Sequence, residues 1–145
     1  MIALIQRVNW AQVRIDERLH SEIGHGLLAF IGVEKEDAFE SADKLLDRIL
    51  SYRVFADADG RMNIDLASVG GELMLVSQFT LAVDTNQGLR PGFSRAKKPK
   101  EAQQIYNYLV SEAIKQNKSV VSGKFAADMQ VTLENDGPVT FILRA

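Results

Sequence analysis

The chain has 145 residues, of which 46% are hydrophobic and 25% charged, and its formal net charge is −2. These values are typical of a single globular domain and exclude a general attraction to nucleic acid or to membranes, so any anion binding must be local. The absence of cysteine excludes disulfides, thiol nucleophiles and cysteine zinc sites. The sequence contains neither a signal-peptide pattern nor an apolar segment of membrane-spanning length, so we expect a cytoplasmic protein.

Alternating apolar residues predict two strands at the start of the chain, within residues 2–8 and 11–15. Asp16 to Arg18 is predicted to turn the chain, and the apolar run from Leu27 to Val33 is typical of a buried strand. The two histidines, His20 and His25, fall in predicted loops without the carboxylate spacing of a metal site, so we expect no bound metal.

The next periodic segment predicts an amphipathic helix that packs on a sheet. Asp37 and Glu40 have the spacing of a capping box, with Asp37 in the cap position. The apolar residues that follow recur at helical spacing, and they are Ala42, Leu45, Leu46 and Ile49.

The stretch from Glu72 to Leu81 changes from apolar to polar along its length. Gly70 and Gly71 are a turn signal, and the apolar run from Leu73 to Val76 is typical of a strand buried on both faces. Ser77, Gln78 and Thr80 then provide two hydroxyls and a carboxamide around Phe79. Such groups either satisfy the end of a strand or bind a ligand, and the local sequence alone favours the first interpretation.

A basic segment without clear periodicity extends from Asp84 to Lys100 and contains Gly88, Pro91 and Gly92. Its five cations are either solvated or bind phosphate groups, and long loops in compact domains are often functional. They are Arg90, Arg95, Lys97, Lys98 and Lys100.

The last third of the chain predicts one helix followed by strands. Pro99 suits the first turn of a helix with strict apolar periodicity that ends near Asn117, and residues 119–122 are a candidate short strand. Alternating residues predict two more strands, from Met129 to Glu134 and from Val139 to Arg144. We therefore expect a single α/β domain, with a mixed sheet or a barrel-like β core and two amphipathic helices.

The turn between the last two strands has two interpretations. Asp136-Gly137 between alternating runs is typical of a β-hairpin, and Pro138 is tolerated at the start of a strand. A cis Gly-Pro bond would instead form a rigid pair of acceptors, but only about 5–6% of such bonds are cis in folded proteins. The local sequence does not favour the cis form.

Two motifs together resemble the D-aminoacyl-tRNA deacylase family. The first is VGGELMLVSQFTL, which contains Ser77 to Thr80, and the second is NDGPVT from Asn135 to Thr140. The similarity extends over the whole chain, including the QRV sequence around Arg7. Two residues depart from the family pattern, since Gly92 replaces the usual serine and Ala126 the usual glycine.

The resemblance implies a homodimeric hydrolase with active sites at the subunit interface. Its substrate would be the acceptor end of tRNA esterified to a D-amino acid or to glycine. A cis Gly137-Pro138 bond from one subunit would enter the partner's pocket, exclude L side chains and hold the substrate's amino group. Ser77, Gln78, Phe79 and Thr80 would line the reacting carbonyl. Phe125 and Met129 would contact the terminal adenosine, and Arg7 would brace the Gly-Pro turn.

The chemistry expected of this motif needs no cofactor. A nucleophilic Thr80 would require a base within hydrogen-bond reach, and the motif contains none. On a regular strand Ser77 and Thr80 would point to opposite faces, so the chain must bend if both reach the substrate. Backbone N–H groups near Phe79 and Thr80 would stabilise the oxyanion, while the ribose 2′-hydroxyl of tRNA orients the water. A nucleophilic Thr80 is the alternative mechanism.

Two other classes of protein fit the sequence. The chain could be a non-catalytic nucleic-acid-binding dimer that uses the basic segment and exposed aromatic residues. It could also be a structural dimer in which Ser77 to Thr80 only satisfy the end of a strand. Comparing hydrolysis and binding of D- and L-aminoacyl-tRNA distinguishes these classes from the enzyme.

Overall fold

A computed structural model describes residues 1–84 and 89–145 as a mixed α/β domain with a nearly closed, barrel-like sheet and two helices. The sheet order is β2-β1-β3-β6-β7, and β8 returns to pair with β1. The elements are β1 (Ile2–Ile15), β2 (Arg18–Ile23), β3 (Gly26–Gly32), α1 (Phe39–Ser51), β4 (Phe55–Ala56), β5 (Met62–Ile64), β6 (Glu72–Ser77), a 3₁₀ turn (Phe79–Ala82), α2 (Pro99–Gln116), β7 (Val120–Ser122) and β8 (Gln130–Arg144).

The N-terminal segment is one continuous strand, so the prediction of two strands there was wrong. β1 runs without interruption for 14 residues, because β3, β2 and β8 together provide pairing partners along its length. Asp16 and Glu17, both with positive φ, form a two-residue hairpin turn between Ile15 and Arg18. The sequence did not predict β2, which is largely exposed and carries few apolar residues.

The central strand β6 is buried on both faces, as its apolar run predicted. It pairs in parallel with β3 and β7, and the chain passes through α1 before β6 and through α2 after it. Leu73 and Leu75 belong to the larger core cluster, on the side of the helices, whereas Met74 and Val76 belong to a second cluster. Burying one such side chain stabilises a fold by ~1.5–3 kcal/mol, so β6 gives the residues directly after it a fixed starting position.

The two helices are confirmed, but the predicted capping box is wrong. The cap residue of α1 is Ala38, and the Ser41 hydroxyl accepts a hydrogen bond from the Ala38 N–H. Asp37 instead accepts a hydrogen bond from the backbone N–H of Glu34 at 2.6 Å, before the helix begins. α2 begins at Pro99 and ends before Asn117, as predicted. No helix within residues 1–84 and 89–145 is long and apolar enough to cross a membrane.

The predicted C-terminal hairpin is also wrong, because both of its arms pair with the same strand. β8 runs antiparallel to β1 from Ile2↔Arg144 to Arg14↔Gln130. Asn135 pairs with Val8 and Thr140 pairs with Gln6. The same interval therefore takes five residues on β8 but only two on β1. Residues 136–139 therefore form a bulge that projects from the sheet, which we call the Gly-Pro bulge.

Candidate active site

The chain bends directly after β6, as it must if Ser77 and Thr80 are both to reach a substrate. Gln78 has φ −140° and ψ 84°, and the backbone then forms the 3₁₀ turn. Hydrogen bonds hold this bend to β3 and to itself, from Gln78 N–H to the Ile31 carbonyl at 2.7 Å and from Leu81 N–H to the Gln78 carbonyl at 3.2 Å. We call residues 77–80 the SQFT turn.

Glycine at position 32 allows the 3₁₀ turn to lie against the end of β3. A Cβ atom on Gly32 would lie 2.9 Å from Cβ of Leu81 and 3.4 Å from the Gln78 carbonyl oxygen. Any larger residue would push the turn away from the sheet. The requirement was not visible in the sequence, because the contact joins residues almost fifty positions apart.

Thr80 has a hydrogen-bond partner that is not a base. The Gln78 side-chain amide donates to the Thr80 hydroxyl oxygen at 2.5 Å. Among the described residues, no histidine or carboxylate hydrogen-bonds to Thr80. A carboxamide cannot accept the hydroxyl proton as a general base does, so the geometry lacks the pairing that activates a threonine nucleophile.

A cavity of about 490 Å³ opens beside the SQFT turn. Its size falls within the range of small-molecule sites, and it lies at the carboxyl ends of the parallel strands β3 and β6. Its walls include five of the residues predicted to contact the substrate, namely Ser77, Gln78, Phe79, Phe125 and Met129. Lys97 and Ala126 line it as well, whereas Thr80 is not among the described residues of its walls. Phe30, Val76 and Ala102 also line it; as apolar residues of a strand or helix, they carry no signal that separates them from core residues.

Local geometry shows why glycine suits position 126 and whether a serine has room at position 92. Ala126, in the cavity wall, has φ +60°, in the left-handed region where glycine is favoured. Gly92 exchanges backbone hydrogen bonds with Asp84. A Cβ atom on Gly92 would lie 3.4 Å from the Asp84 carbonyl oxygen, so a serine fits there.

The Gly-Pro bulge is exposed, and Arg7 holds its first residue. The Gly137–Pro138 peptide bond is cis, and Gly137 has φ +130°. Arg7 Nε lies 2.9 Å from the Asp136 carboxylate and also donates to the Asp136 carbonyl at 3.2 Å. Its Nη1 donates to the Val54 carbonyl at 2.6 Å, which connects the bulge to the segment after α1.

The SQFT turn and the Gly-Pro bulge do not meet within one chain. The turn is attached to Ile31, which pairs with Ala3, whereas the bulge lies opposite Arg7. Ala3 and Arg7 are four residues apart on β1, which corresponds to about 13 Å at the usual rise of a strand. The two features also lie on opposite edges of β1, because β3 and β8 flank it on different sides.

The basic segment does not expose all of its cations equally. Arg90 and Lys98 are exposed, and Arg95 is exposed while lying 3.9 Å from Glu34. The Lys97 side chain is only 13% exposed, and its ammonium group donates to the Lys35 carbonyl at 2.7 Å. The part of this predicted loop at residues 85–88 lies outside the described residues.

Tyr106 on α2 contacts both the strand that leads into the site and a residue of the cavity wall. Its buried hydroxyl donates to the Leu75 carbonyl at 2.8 Å, two residues before Ser77. Its ring centroid lies 5.8 Å from that of Phe125 in the cavity wall. Burial raises the pKa of Tyr106 above its ordinary value of 10.0, so the hydroxyl stays a neutral donor near neutral pH.

No group of three or more histidine, cysteine or carboxylate residues within 1–84 and 89–145 could hold a metal ion. The fold and the site together define an α/β protein with a small-molecule cavity at the carboxyl ends of parallel strands. One wall of that cavity is a turn rich in hydroxyl and amide groups.

Comparison with known proteins identifies the family. A family model described as D-Tyr-tRNA(Tyr) deacylase matches residues 4–144, and the chain belongs to this family, which confirms the predicted resemblance. A D-aminoacyl-tRNA deacylase from Cellvibrio japonicus (strain Ueda107) is 54% identical over 143 residues, covering 99% of this chain and 98% of the relative. Another, from Pasteurella multocida (strain Pm70), is 53% identical, covering 99% of both chains.

Two solved structures share the fold. The c-Myc DNA Unwinding Element Binding Protein matches with a TM-score of 0.95 and 34% identity, covering 100% of this chain and 99% of the other. A probable eukaryotic D-amino acid tRNA deacylase matches with a TM-score of 0.88, covering 99% and 98% of the two chains. Its identity is 12%, so this second likeness concerns the fold alone.

Proposed function

We propose that this chain is a D-aminoacyl-tRNA deacylase that hydrolyses the ester between a D-amino acid, or glycine, and the terminal adenosine of tRNA. The observation that carries the proposal is that Ser77, Gln78 and Phe79 of the SQFT turn line a cavity of about 490 Å³, in a chain that belongs to the deacylase family. The terminal adenosine would occupy the cavity against Phe125 and Met129. Because the substrate is tRNA, we place the reaction in the cytoplasm.

The reaction we propose is attack by water on the ester carbonyl carbon. The bond from this carbon to the ribose oxygen then breaks, and that oxygen leaves with a proton as the free hydroxyl of tRNA. The first backbone N–H groups of a helical turn have no hydrogen-bond partner within that turn. The N–H groups of Phe79 and Thr80 begin the 3₁₀ turn and are therefore suited to stabilise the oxyanion. The ribose 2′-hydroxyl orients the water in this scheme, because Thr80 hydrogen-bonds to no base in the part of the chain that the structure describes.

An exposed apolar row marks the face on which two subunits would meet. Leu4 pairs with Phe30 on β3 and with Ile142 on β8, so the three side chains lie side by side across three strands. Ile142 is 61% exposed and the other two are half-buried. The 3₁₀ turn covers Gly32, and alternate residues of a strand share a face, so Gly32 lies on the side of this row. Thr140, where the bulge rejoins the regular pairing with β1, lies on the same side as Ile142.

A two-fold axis beside this row would complete two sites at once. The axis would lie parallel to the sheet, between the facing rows of the two subunits, and at right angles to the line from the SQFT turn to the Gly-Pro bulge, so that it exchanges the positions of these two features. It therefore brings the Gly-Pro bulge of one subunit to the SQFT turn of its partner. This arrangement supports a homodimer in which each active site needs both chains.

The Gly-Pro bulge would select the enantiomer. D- and L-amino acids differ in the direction in which the side chain leaves Cα, so a rigid wall at that position distinguishes them. Gly137 and Pro138 would exclude the L side chain and accept a hydrogen bond from the substrate's amino group. Arg7 would hold this wall in place through Asp136.

The exposed cations of the basic segment would bind tRNA phosphates. Arg90, Arg95 and Lys98 can reach solvent, whereas Lys97 is largely buried and already bonded. We therefore assign Lys97 a smaller part in phosphate binding than the other three.

Incubation of the purified protein with D-tyrosyl-tRNA and with L-tyrosyl-tRNA tests the proposed function. We expect release of the D-amino acid and little release of the L-amino acid. Binding of tRNA without release of either amino acid would support the non-catalytic nucleic-acid-binding dimer. Neither binding nor release would support a structural dimer.

A further inference from the structure

We propose that Asn135 is a positioning residue that sets the shape of the Gly-Pro bulge and thereby the preference for D-amino acids; this inference rests on the proposed function. The Asn135 side-chain oxygen accepts a hydrogen bond from the Val139 N–H at 3.1 Å. The bond closes the bulge, since Asn135 is the last paired residue before it and Val139 is its final residue. Asn135 is half-buried, whereas Gly137 and Pro138 are exposed.

The bulge needs such a bond because its own backbone has left the sheet. Residues 136–139 have no partner on β1, so the Val139 N–H lacks the acceptor that a regular strand would provide. The bulge is held at its first residue by Arg7, which contacts Asp136. At its last residue it is held by Asn135 and by the packing of the Val139 side chain against the larger core cluster.

Val139 is also the residue that limits the space around Gly137. A Cβ atom on Gly137 would lie 2.7 Å from Cγ2 of Val139 and 3.0 Å from its backbone nitrogen. A shift of Val139 therefore changes the surroundings of the Gly137–Pro138 wall directly. Because the bond needs only an acceptor at the right distance, an aspartate at position 135 can replace the asparagine and an alanine cannot.

The experiment compares Asn135→Ala, Asn135→Asp and a control, Asn9→Ala, for hydrolysis of D-tyrosyl-tRNA and L-tyrosyl-tRNA. Asn9 is a matched control because its amide donates to Glu134 at 2.7 Å, one residue before Asn135, without contacting the bulge. We expect Asn135→Ala to lower the ratio of D to L hydrolysis by about tenfold, the equivalent of one hydrogen bond. Asn135→Asp and Asn9→Ala should stay within about twofold of the wild-type ratio.

Equal loss of both rates with an unchanged ratio would show a merely structural role and overturn the inference. The same change of ratio in Asn9→Ala would also overturn it. If Asn135→Ala does not fold, Asn135→Ser takes its place, because the serine hydroxyl is too short to reach the Val139 N–H. A wild-type protein that hydrolyses neither ester would overturn the proposed function and this inference with it; an active wild type with no effect at Asn135 overturns the inference alone.

Discussion

The Thr80 hydroxyl accepts a hydrogen bond from Gln78, and no histidine or carboxylate within residues 1–84 and 89–145 hydrogen-bonds to it, so its removal should cost little activity. We expect Thr80→Ala to lower the rate of D-ester hydrolysis by less than about tenfold, the scale of one lost hydrogen bond. Removing a true nucleophile would cost on the order of 10⁴-fold or more. Single-turnover rates with D-tyrosyl-tRNA measure the difference, and tRNA ending in 2′-deoxyadenosine should lose more activity than the variant does. A loss near 10⁴-fold in a folded Thr80→Ala protein would restore the nucleophilic mechanism.

Gly137 has no room for a side chain. Its φ of +130° and the 2.7 Å approach to Val139 mean that Gly137→Ala must distort the Gly-Pro bulge. We expect D-ester hydrolysis to fall at least about tenfold while the fold survives, because the bulge projects from the sheet. Gly60→Ala is the control, since Gly60 also has positive φ but has no atom within 4 Å of an added Cβ. Equal activity of the two variants would contradict a role for the bulge in the site.

At the scale of elements, the link between α2 and the end of β6 depends on Tyr106. Tyr106→Phe removes the hydrogen bond to Leu75, so the free energy of unfolding should fall by about 1 kcal/mol at neutral pH. Tyr52→Phe is the control, because the Tyr52 hydroxyl makes no hydrogen bond within residues 1–84 and 89–145. Denaturant unfolding of both variants measures the difference, and equal losses would show that the Tyr106 bond adds no stability.

The raised pKa of Tyr106 also gives its contribution a pH dependence. Below pH 10.0 the hydroxyl is neutral in the folded and the unfolded chain, so its stabilising effect is complete. Above that value the unfolded chain loses the proton first, and the stability of the wild type should fall as pH rises. Unfolding measured between pH 8 and 11 should show a shallower decline for Tyr106→Phe. Parallel curves for the two proteins would contradict this origin of the alkaline sensitivity.

The basic segment should make tRNA binding sensitive to salt. Each phosphate contact that is lost lowers the slope of log affinity against log salt by ~1, so Arg90→Gln and Lys98→Gln should each flatten it. Lys97→Gln should leave the slope nearly unchanged, because the Lys97 ammonium group donates to the Lys35 carbonyl. Lys44→Gln is the control, since Lys44 is an exposed lysine on α1, outside the basic segment. The ratio of D to L hydrolysis should not change in any of them. A slope that is the same in all four variants would show a merely solvated loop.

Elements with a strong internal pattern were predictable from sequence, and those decided by distant pairing were not. Apolar residues at helical spacing predicted α2, and the apolar run predicted β6 as a buried strand. The hairpin at Asp136-Gly137 was a sound local prediction, but β1 is long enough to pair with both arms, so the chain formed a bulge. The SQFT turn was predicted as a site, whereas Gly32 and Tyr106 were not, since their importance depends on contacts across the fold.

At the scale of the whole molecule, a mixed dimer tests whether the two motifs act across subunits. One chain carries Gly137→Ala together with Pro138→Ala, and the other carries Gln78→Ala together with Phe79→Ala. If sites form across the interface, both defects fall in one site and the other is intact, so we expect about half of the wild-type activity. If each chain formed its own site, both sites would be damaged. A mixed dimer no more active than either parent dimer would therefore contradict the two-fold arrangement.

The distance of about 13 Å between the SQFT turn and the Gly-Pro bulge along β1 has a kinetic consequence. In the proposed dimer each chain contributes half of each site, so a single chain would have no complete catalyst. When the protein is diluted below the dissociation constant of its dimer, the number of sites falls with the square of the subunit concentration. Activity per milligram should then decline on dilution, and an inactive chain with an intact Gly-Pro bulge should restore it. If the proposed dimer forms, the rate of ester hydrolysis would thus depend steeply on the concentration of the protein.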